Sequence, residues 1–187
     1  MAADCLASYG SLARFRDVQR INELNKHCLL GTSGDIADCQ SLLKELSEYT
    51  GEEMNEKLSP RHLFNYLQQL HYKRRCDMNP LWNSHVIAGV SRNNNHLFLG
   101  VVDLKGTSYE ADAVATGFGN YLAIPMLRKA DPINMTEEEA VDLVVKCMKV
   151  LYARDARALD KIQLAKVTCN GCEIGQPIKI SIDWSIA

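Results

Sequence analysis

The chain has 187 residues, 47% of them apolar and 24% charged, with 21 basic against 23 acidic side chains and a formal charge of −2. This length suits one domain over residues 1–187, able to bury roughly 70% of its unfolded surface without disulfide or metal. The balanced charge excludes a globally basic nucleic-acid or membrane-surface binder, and no apolar run reaches the ~18 residues of a membrane helix.

Residues 12–22 carry Leu12, Phe15, Val18 and Ile21 among arginines, the pattern of an exposed strand with irregular ends. Cys28-Leu29-Leu30 is a short apolar run that Gly31-Thr32-Ser33-Gly34 is expected to break. A helix follows from about Ile36 to Tyr49, with Leu42, Leu43 and Leu46 on one face. Ser59 and Pro60 are an N-cap and first-turn pair. They open a second helix through about Arg75, striped by Leu63, Leu67 and Leu70. Lys73-Arg74-Arg75 reads as its solvated end, where basic charge suits the helix dipole.

Three strands are expected at 84–90, 96–103 and 107–115. Ser91-Arg92-Asn93-Asn94-Asn95 and Lys105-Gly106 supply the hairpin connections. A third helix spans Asn120 to Arg128, and Pro125 either sits in its first turn or costs it a hydrogen bond. Thr136-Glu137-Glu138-Glu139 is a capping box. The helix it starts should reach about Arg154 and bury Ala140, Leu143, Val144, Cys147 and Leu151. Lys161–Thr168 and Glu173–Ile180 alternate as a last hairpin turning at Cys169-Asn170-Gly171-Cys172, with Asn-Gly as the preferred central pair. Strands, two helices, three strands, two helices and two strands argue for α+β layers rather than an alternating parallel sheet.

Seven cysteines at irregular spacing in a chain with an adequate core read as reduced intracellular thiols. The opening Met1-Ala2-Ala3-Asp4-Cys5 lacks the regions of a secretory signal, so cytoplasm and nucleus are the expected location. Cys169-x-x-Cys172 has no second ligand pair for zinc and flanks a hairpin rather than a redox helix start, so it reads as turn cysteines. The histidines at 27, 62, 71, 85 and 96 show no i,i+4 pairing and read as surface or satisfied core groups. Gly31-Thr32-Ser33-Gly34 lacks the lysine and spacing of a phosphate loop. Cys5 and Cys76 are thiols without a histidine nearby in sequence. Trp82 stands open between an interface anchor and a core residue. No cofactor and no metal are expected.

Two segments carry more. Ala115-Thr116-Gly117-Phe118-Gly119 and Val150-Leu151-Tyr152-Ala153-Arg154-Asp155-Ala156-Arg157-Ala158 resemble the active-site frame of 20S proteasome β-type subunits. Ser8-Tyr9-Gly10-Ser11-Leu12-Ala13-Arg14-Phe15, Gly31–Asp38 and Met78-Asn79-Pro80-Leu81-Trp82-Asn83 extend the resemblance over nearly the whole chain. Within that family the chain resembles the non-catalytic β7 members, called β type-4 in animals.

The resemblance implies a four-layer αββα sandwich of N-terminal nucleophile hydrolase type, here expected to lack the first strand and most of the C-terminal tail. Active relatives use an N-terminal threonine whose own amine is the base, a supporting lysine, an aspartate and two serines. Asp4 matches the first site aspartate and Asp155 the aspartate before a serine. By spacing from Asp4, the lysine position falls on Arg20. The serine positions read Phe118 and Ala158. Arginine stays charged and cannot serve as a tunable base. Asp4, Arg20, Phe118, Asp155 and Ala158 are therefore expected to be vestigial, with the three charged residues an ion-pair cluster holding strands and helix. The expected role is a non-catalytic structural subunit of the β ring, with other proteasome α and β subunits as partners. The competing readings are a threonine-type hydrolase with a missing N-terminus and a truncated isoform that does not assemble.

Overall fold

Short strands occupy the first fifth of the chain in the computed structural model, which describes residues 1–55, 58–92, 96–132, 134–182 and 184. They are β1 (Ala2–Asp4), β2 (Ala7–Tyr9), β3 (Leu12–Phe15), β4 (Ile21–Asn25) and β5 (Cys28–Gly34). Helices α1 (Ile36–Asn55) and α2 (Pro60–Cys76) come next, then strands β6 (Asn83–Val90), β7 (Leu97–Val102) and β8 (Ser108–Glu110). Helices α3 (Gly119–Lys129) and α4 (Glu137–Arg154) precede β9 (Lys161–Thr168), β10 (Gly171–Ile174) and β11 (Ile178–Lys179). The chain divides into two compact units, one of residues 1–21, 112–165 and 174–187, the other of residues 22–111 and 166–173.

The second unit is a five-stranded sheet ordered β4-β5-β6-β7-β8, antiparallel from β5 to β8. Alternation along β6 buries Asn83, His85, Ile87 and Gly89 on one face, as a period of two requires. Ile87 joins Cys28, Leu30, Phe98 and Val102 of the sheet with Leu42 and Leu46 of α1 and Leu63, Phe64 and Leu67 of α2 in one apolar core. Phe64 and Phe98 meet edge to face, ring centroids 5.2 Å apart. Helix α2 comes down tightly on the sheet at Gly89, where any Cβ would lie 2.3 Å from Cγ of Pro60 and 2.6 Å from the His27 carbonyl oxygen. Ser59 caps α2 as expected: its hydroxyl accepts from the His62 backbone N–H, and His62 returns the bond to the cap N–H. The turn between β7 and β8 also forms as expected, with Gly106 at φ +80° and the Asp103 carboxylate accepting from the N–H groups of Lys105 and Thr107, both at 2.8 Å.

In the first unit β9 is central. It pairs antiparallel with β1 (Ala2 opposite Leu164, Asp4 opposite Ile162) and with β11. Helix α4 packs on α3 and on β1. Its capping box is formed, the Thr136 hydroxyl accepting from Glu139 N–H at 3.3 Å and the Glu139 carboxylate accepting from Thr136 N–H at 2.9 Å. β2 and β3 form a separate two-stranded hairpin around Gly10, with β3 exposed along its full length.

Several expectations are corrected. The strand expected over 12–22 is two strands, because the 9–12 turn pairs Leu12–Phe15 back on β2 and the chain resumes as strand only at Ile21. Gly31–Gly34 does not break β5, since every residue to Gly34 is paired with β6 and the cross-strand ladder outweighs local glycine content. Helix α1 begins after Asp35, whose carboxylate accepts from Asp38 N–H at 3.0 Å, and continues past Tyr49 to Asn55. A mid-helix glycine such as Gly51 costs ~1 kcal/mol and does not by itself end a helix. β8 stops at Glu110 rather than 115, where its pairing with Gly100 ends. Pro125 lies inside α3, beyond the first turn. The last hairpin turns on Cys169-Asn170, one residue earlier than expected, and Gly171 at φ +138° opens the returning strand. The 93–95 segment of the expected first hairpin connection lies outside the described residues. In α4 only Cys147 is buried; Ala140, Leu143, Val144 and Leu151 are half-buried. Trp82 is 63% exposed, which removes its core reading.

Candidate functional site

All five expected site positions lie in the first unit. Asp4 ends β1, where pairing with Ile162 of β9 fixes its backbone. Arg20 lies just before Ile21 and reaches back, its Nη1 sitting 3.2 Å from Oδ1 of Asp4. Its Nη2 donates to the Leu6 carbonyl oxygen, while its Nε is buried with no hydrogen-bond partner. Both charged side chains are about four-fifths buried, at 22% and 20% exposure.

Asp155 follows α4 as its C-cap residue. Its carboxylate accepts from Arg157 N–H at 2.8 Å, and its carbonyl oxygen accepts from Ala158 N–H at 3.2 Å. Its negative charge reaches Asp4. Burial raises the Asp4 carboxyl above its ordinary pKa, Arg20 and the Leu6 backbone N–H pull it down, and Asp155 adds to the rise. Burial wins, so Asp4 holds its proton more tightly than a free aspartate.

The structure thus brings Asp4, Arg20 and Asp155 together and corrects the three-way ion pair: only Asp4 and Arg20 are paired. Asp155 spends its carboxylate on the turn after α4. Ala158 belongs to that same turn through its backbone. Phe118 is 58% exposed at the N-cap of α3, makes no side-chain cap bond, and has no described contact with the other four.

A guanidinium clamped between a carboxylate and a carbonyl can position strands, but it cannot take a proton from a nucleophile. Cys5, beside Asp4, is buried, and burial raises its thiol pKa despite the opposing pull of Lys161. That is the wrong direction for a thiolate nucleophile. A polar cleft of about 360 Å³ adjoins it, lined by Asp17, Gln19, Gln163 and Gln176 among others. The Asp17 carboxylate accepts from Lys161 Nζ at 2.6 Å.

Elsewhere, burial pushes Cys172 up to about 11 and Cys28 up to about 12, so neither is a ready thiolate. The Cys172 thiol points to the Asn25 carbonyl oxygen at 3.5 Å, and Cys169 is exposed. Among the described residues no group of three or more His, Cys, Asp or Glu is placed to hold a metal ion. Among the described residues no helix is long and apolar enough to cross a membrane.

Sequence reasoning missed the second partner of Arg20, the Leu6 carbonyl, because a backbone acceptor leaves no signature in residue type. It also read the core histidines as satisfied, whereas Nε2 of the fully buried His85 has no hydrogen-bond partner.

In each unit an antiparallel sheet accompanied by a pair of helices, with a charged pair at the end of β1 in the first, defines an α+β protein with mixed layers consistent with N-terminal nucleophile hydrolase architecture. The proteasome subunit family model matches residues 1–167, and the chain belongs to that family. Its relatives are β-type. It is 44% identical to proteasome subunit beta type-4 of Xenopus laevis over all of this chain and 79% of the relative. It is 42% identical to proteasome subunit beta type-4 of Arabidopsis thaliana, over all of this chain and 77% of the relative. Identity to proteasome subunit beta type-7 of Saccharomyces cerevisiae is 39%, covering 91% of this chain and 68% of that protein.

Proposed function

We propose that this chain is a non-catalytic structural subunit of the 20S proteasome β ring, of the β7 (animal β type-4) kind. It completes the ring and walls the chamber in which neighbouring subunits cut peptide bonds. Its partners are the other α and β subunits, its domain is a single β-subunit domain with the αββα layering of the family, and it works in cytoplasm and nucleus.

The observation that carries this reading is the Asp4–Arg20 pair at 3.2 Å. Where active relatives need a lysine, a permanently charged guanidinium is tied down at two points. Phe118 and Ala158 stand where the serines would be. The names of the relatives support ring membership. So does exposed apolar surface in the first unit: Tyr9 at 82%, Leu12, Phe15, Phe118 and Tyr121 at 77%. Side chains of this size cluster on surfaces that a partner covers.

Native purification of the tagged chain, with native gel and subunit mass spectrometry, tests the reading. A stoichiometric set of α and β subunits is expected, in which peptidase activity is unchanged by Arg20→Gln in assembled particles. Recovery only as free or chaperone-bound chain sinks ring membership and favours the non-assembling isoform. Covalent labelling of this chain by an N-terminal-threonine-directed inhibitor sinks the non-catalytic claim.

A further inference from the structure

The core of the second unit contains two histidines that nothing in the ring-subunit role uses. His71 on α2 and His85 on β6 are both fully buried, and their rings meet edge to face with centroids 5.0 Å apart. Nδ1 of His85 lies 3.1 Å from the Thr32 hydroxyl on β5. Nε2 of His85 has no hydrogen-bond partner, and the ring of His71 has only the Leu104 carbonyl near it as an acceptor. Leu67 stands one turn before His71 on α2, Ile87 shares the buried face of β6 with His85, and Val102 of β7 is the cross-strand partner of His85, all core residues.

We propose that the His71–His85 pair is an acid-sensitive lock, in which proton uptake by either ring parts α2 from the sheet and opens this unit of the fold.

The physical case is one of solvation and spacing. A neutral imidazole can sit in an apolar core at the cost of an unmade hydrogen bond, whereas an imidazolium there gives up its hydration for too few acceptors to replace it. Two rings 5 Å apart also oppose each other's charging. The other charged group acting on the pair is Asp103, in the turn after β7, and the nearby polar groups are the Thr32 hydroxyl and the Leu104 carbonyl. Asp103 favours charge on His71, but its carboxylate is already engaged by two backbone N–H groups. Burial wins at both rings: His71 is shifted down, and His85 from its ordinary 6.5 to about 3.

The sign follows. Both rings are neutral in the fold and basic in the unfolded chain, so stability is full above pH 6.5. It is lost as pH falls from there toward the folded value, which for His85 is about 3. The lock belongs to the core of this unit and does not depend on the ring-subunit reading.

Urea unfolding of the full chain from pH 7.5 to 5.0, beside His71→Met, His85→Met and the double variant, tests it. Methionine fills the volume without a titrating group. Below pH 6.5 the folding equilibrium constant of the native chain should fall up to about tenfold per pH unit for each ring. Each single variant should lower that slope, His85→Met by up to about tenfold per pH unit, and the double variant should lower it most. Equal slopes in the native chain and the double variant overturn the proposal, as do ring NMR resonances titrating near their ordinary value in the folded chain. If the lone chain stays insoluble, hydrogen exchange of α2 peptides is followed in complexes purified through the tagged chain. Faster opening at pH 5.5 than at 7.5, absent from the double variant, is expected; equal behaviour of the two overturns the lock.

Discussion

The two units handle the same problem, polar groups under a helix-bearing sheet, in opposite ways. In the first, Asp4 and Arg20 keep their charges, pair with each other, and retain about a fifth of their surface. In the second, His71 and His85 stay neutral, fully buried and mostly unpartnered. The helices differ in parallel. Helices α2 and α4 both start with a formed capping box, yet α2 buries Pro60, Leu63, Phe64, Leu67 and His71 while α4 buries Cys147. Apolar spacing states which face of a helix can be covered, and the rest of the assembly states how far it is covered.

The largest expected contrast lies in the helix cores. Leu67→Ala should cost about 4 kcal/mol, because its site is fully buried among well-packed neighbours. Leu143→Ala on half-buried α4 should cost about 1 kcal/mol in the lone chain, by the smaller apolar area it removes from burial. Urea midpoints of the two variants measure the difference. Equal losses would erase the contrast, and a larger Leu143 loss in assembled particles would sharpen it.

Arg20→Ala should come next, at about 3 kcal/mol, since it leaves Asp4 and the Leu6 carbonyl without their partner. Replacing Asp4 and Arg20 together by Asn and Met should restore part of the loss, because the uncompensated charge is then gone. A double-mutant cycle reads this directly.

Acid provides a third contrast with opposite signs. Folding raises the Asp4 pKa above 3.8, so as pH falls the folded state takes up that proton before the unfolded chain does, and this group adds stability. The histidines subtract stability over a window that begins at 6.5. Asp4→Asn should therefore leave the loss caused by the histidines in place and remove only the opposing gain of Asp4. A variant that flattens the upper window by changing Asp4 would break the contrast. Ser59→Ala should cost about 1 kcal/mol from loss of the α2 cap, no more than Leu143→Ala, read as a shifted midpoint with unchanged urea slope.

Much of this was legible in residue order. The Ser59-Pro60 start, the Thr136–Glu139 box and the Lys105-Gly106 turn depend on bonds within a few residues, so their spacing already contains the geometry. The boundaries that moved depend on distant partners. Gly31–Gly34 is strand because β6 runs alongside it, and β8 ends where its pairing with β7 ends. At the candidate site, the family resemblance implied that Asp4, Arg20 and Asp155 lie together, and the structure does bring them near one another. Which carboxylate Arg20 would choose was not legible, because the choice turns on Asp155 being drawn to the Arg157 N–H by its own turn.

By itself, then, the sequence determined the element order, the caps and the turns, since these are matters of residue type and short range. The tertiary structure alone decided how deeply each helix is buried, which charges are paired, and that residues fourteen apart in sequence, His71 and His85, face each other in a dry core. Burial and through-space charge depend on every neighbour at once, and no local pattern encodes them.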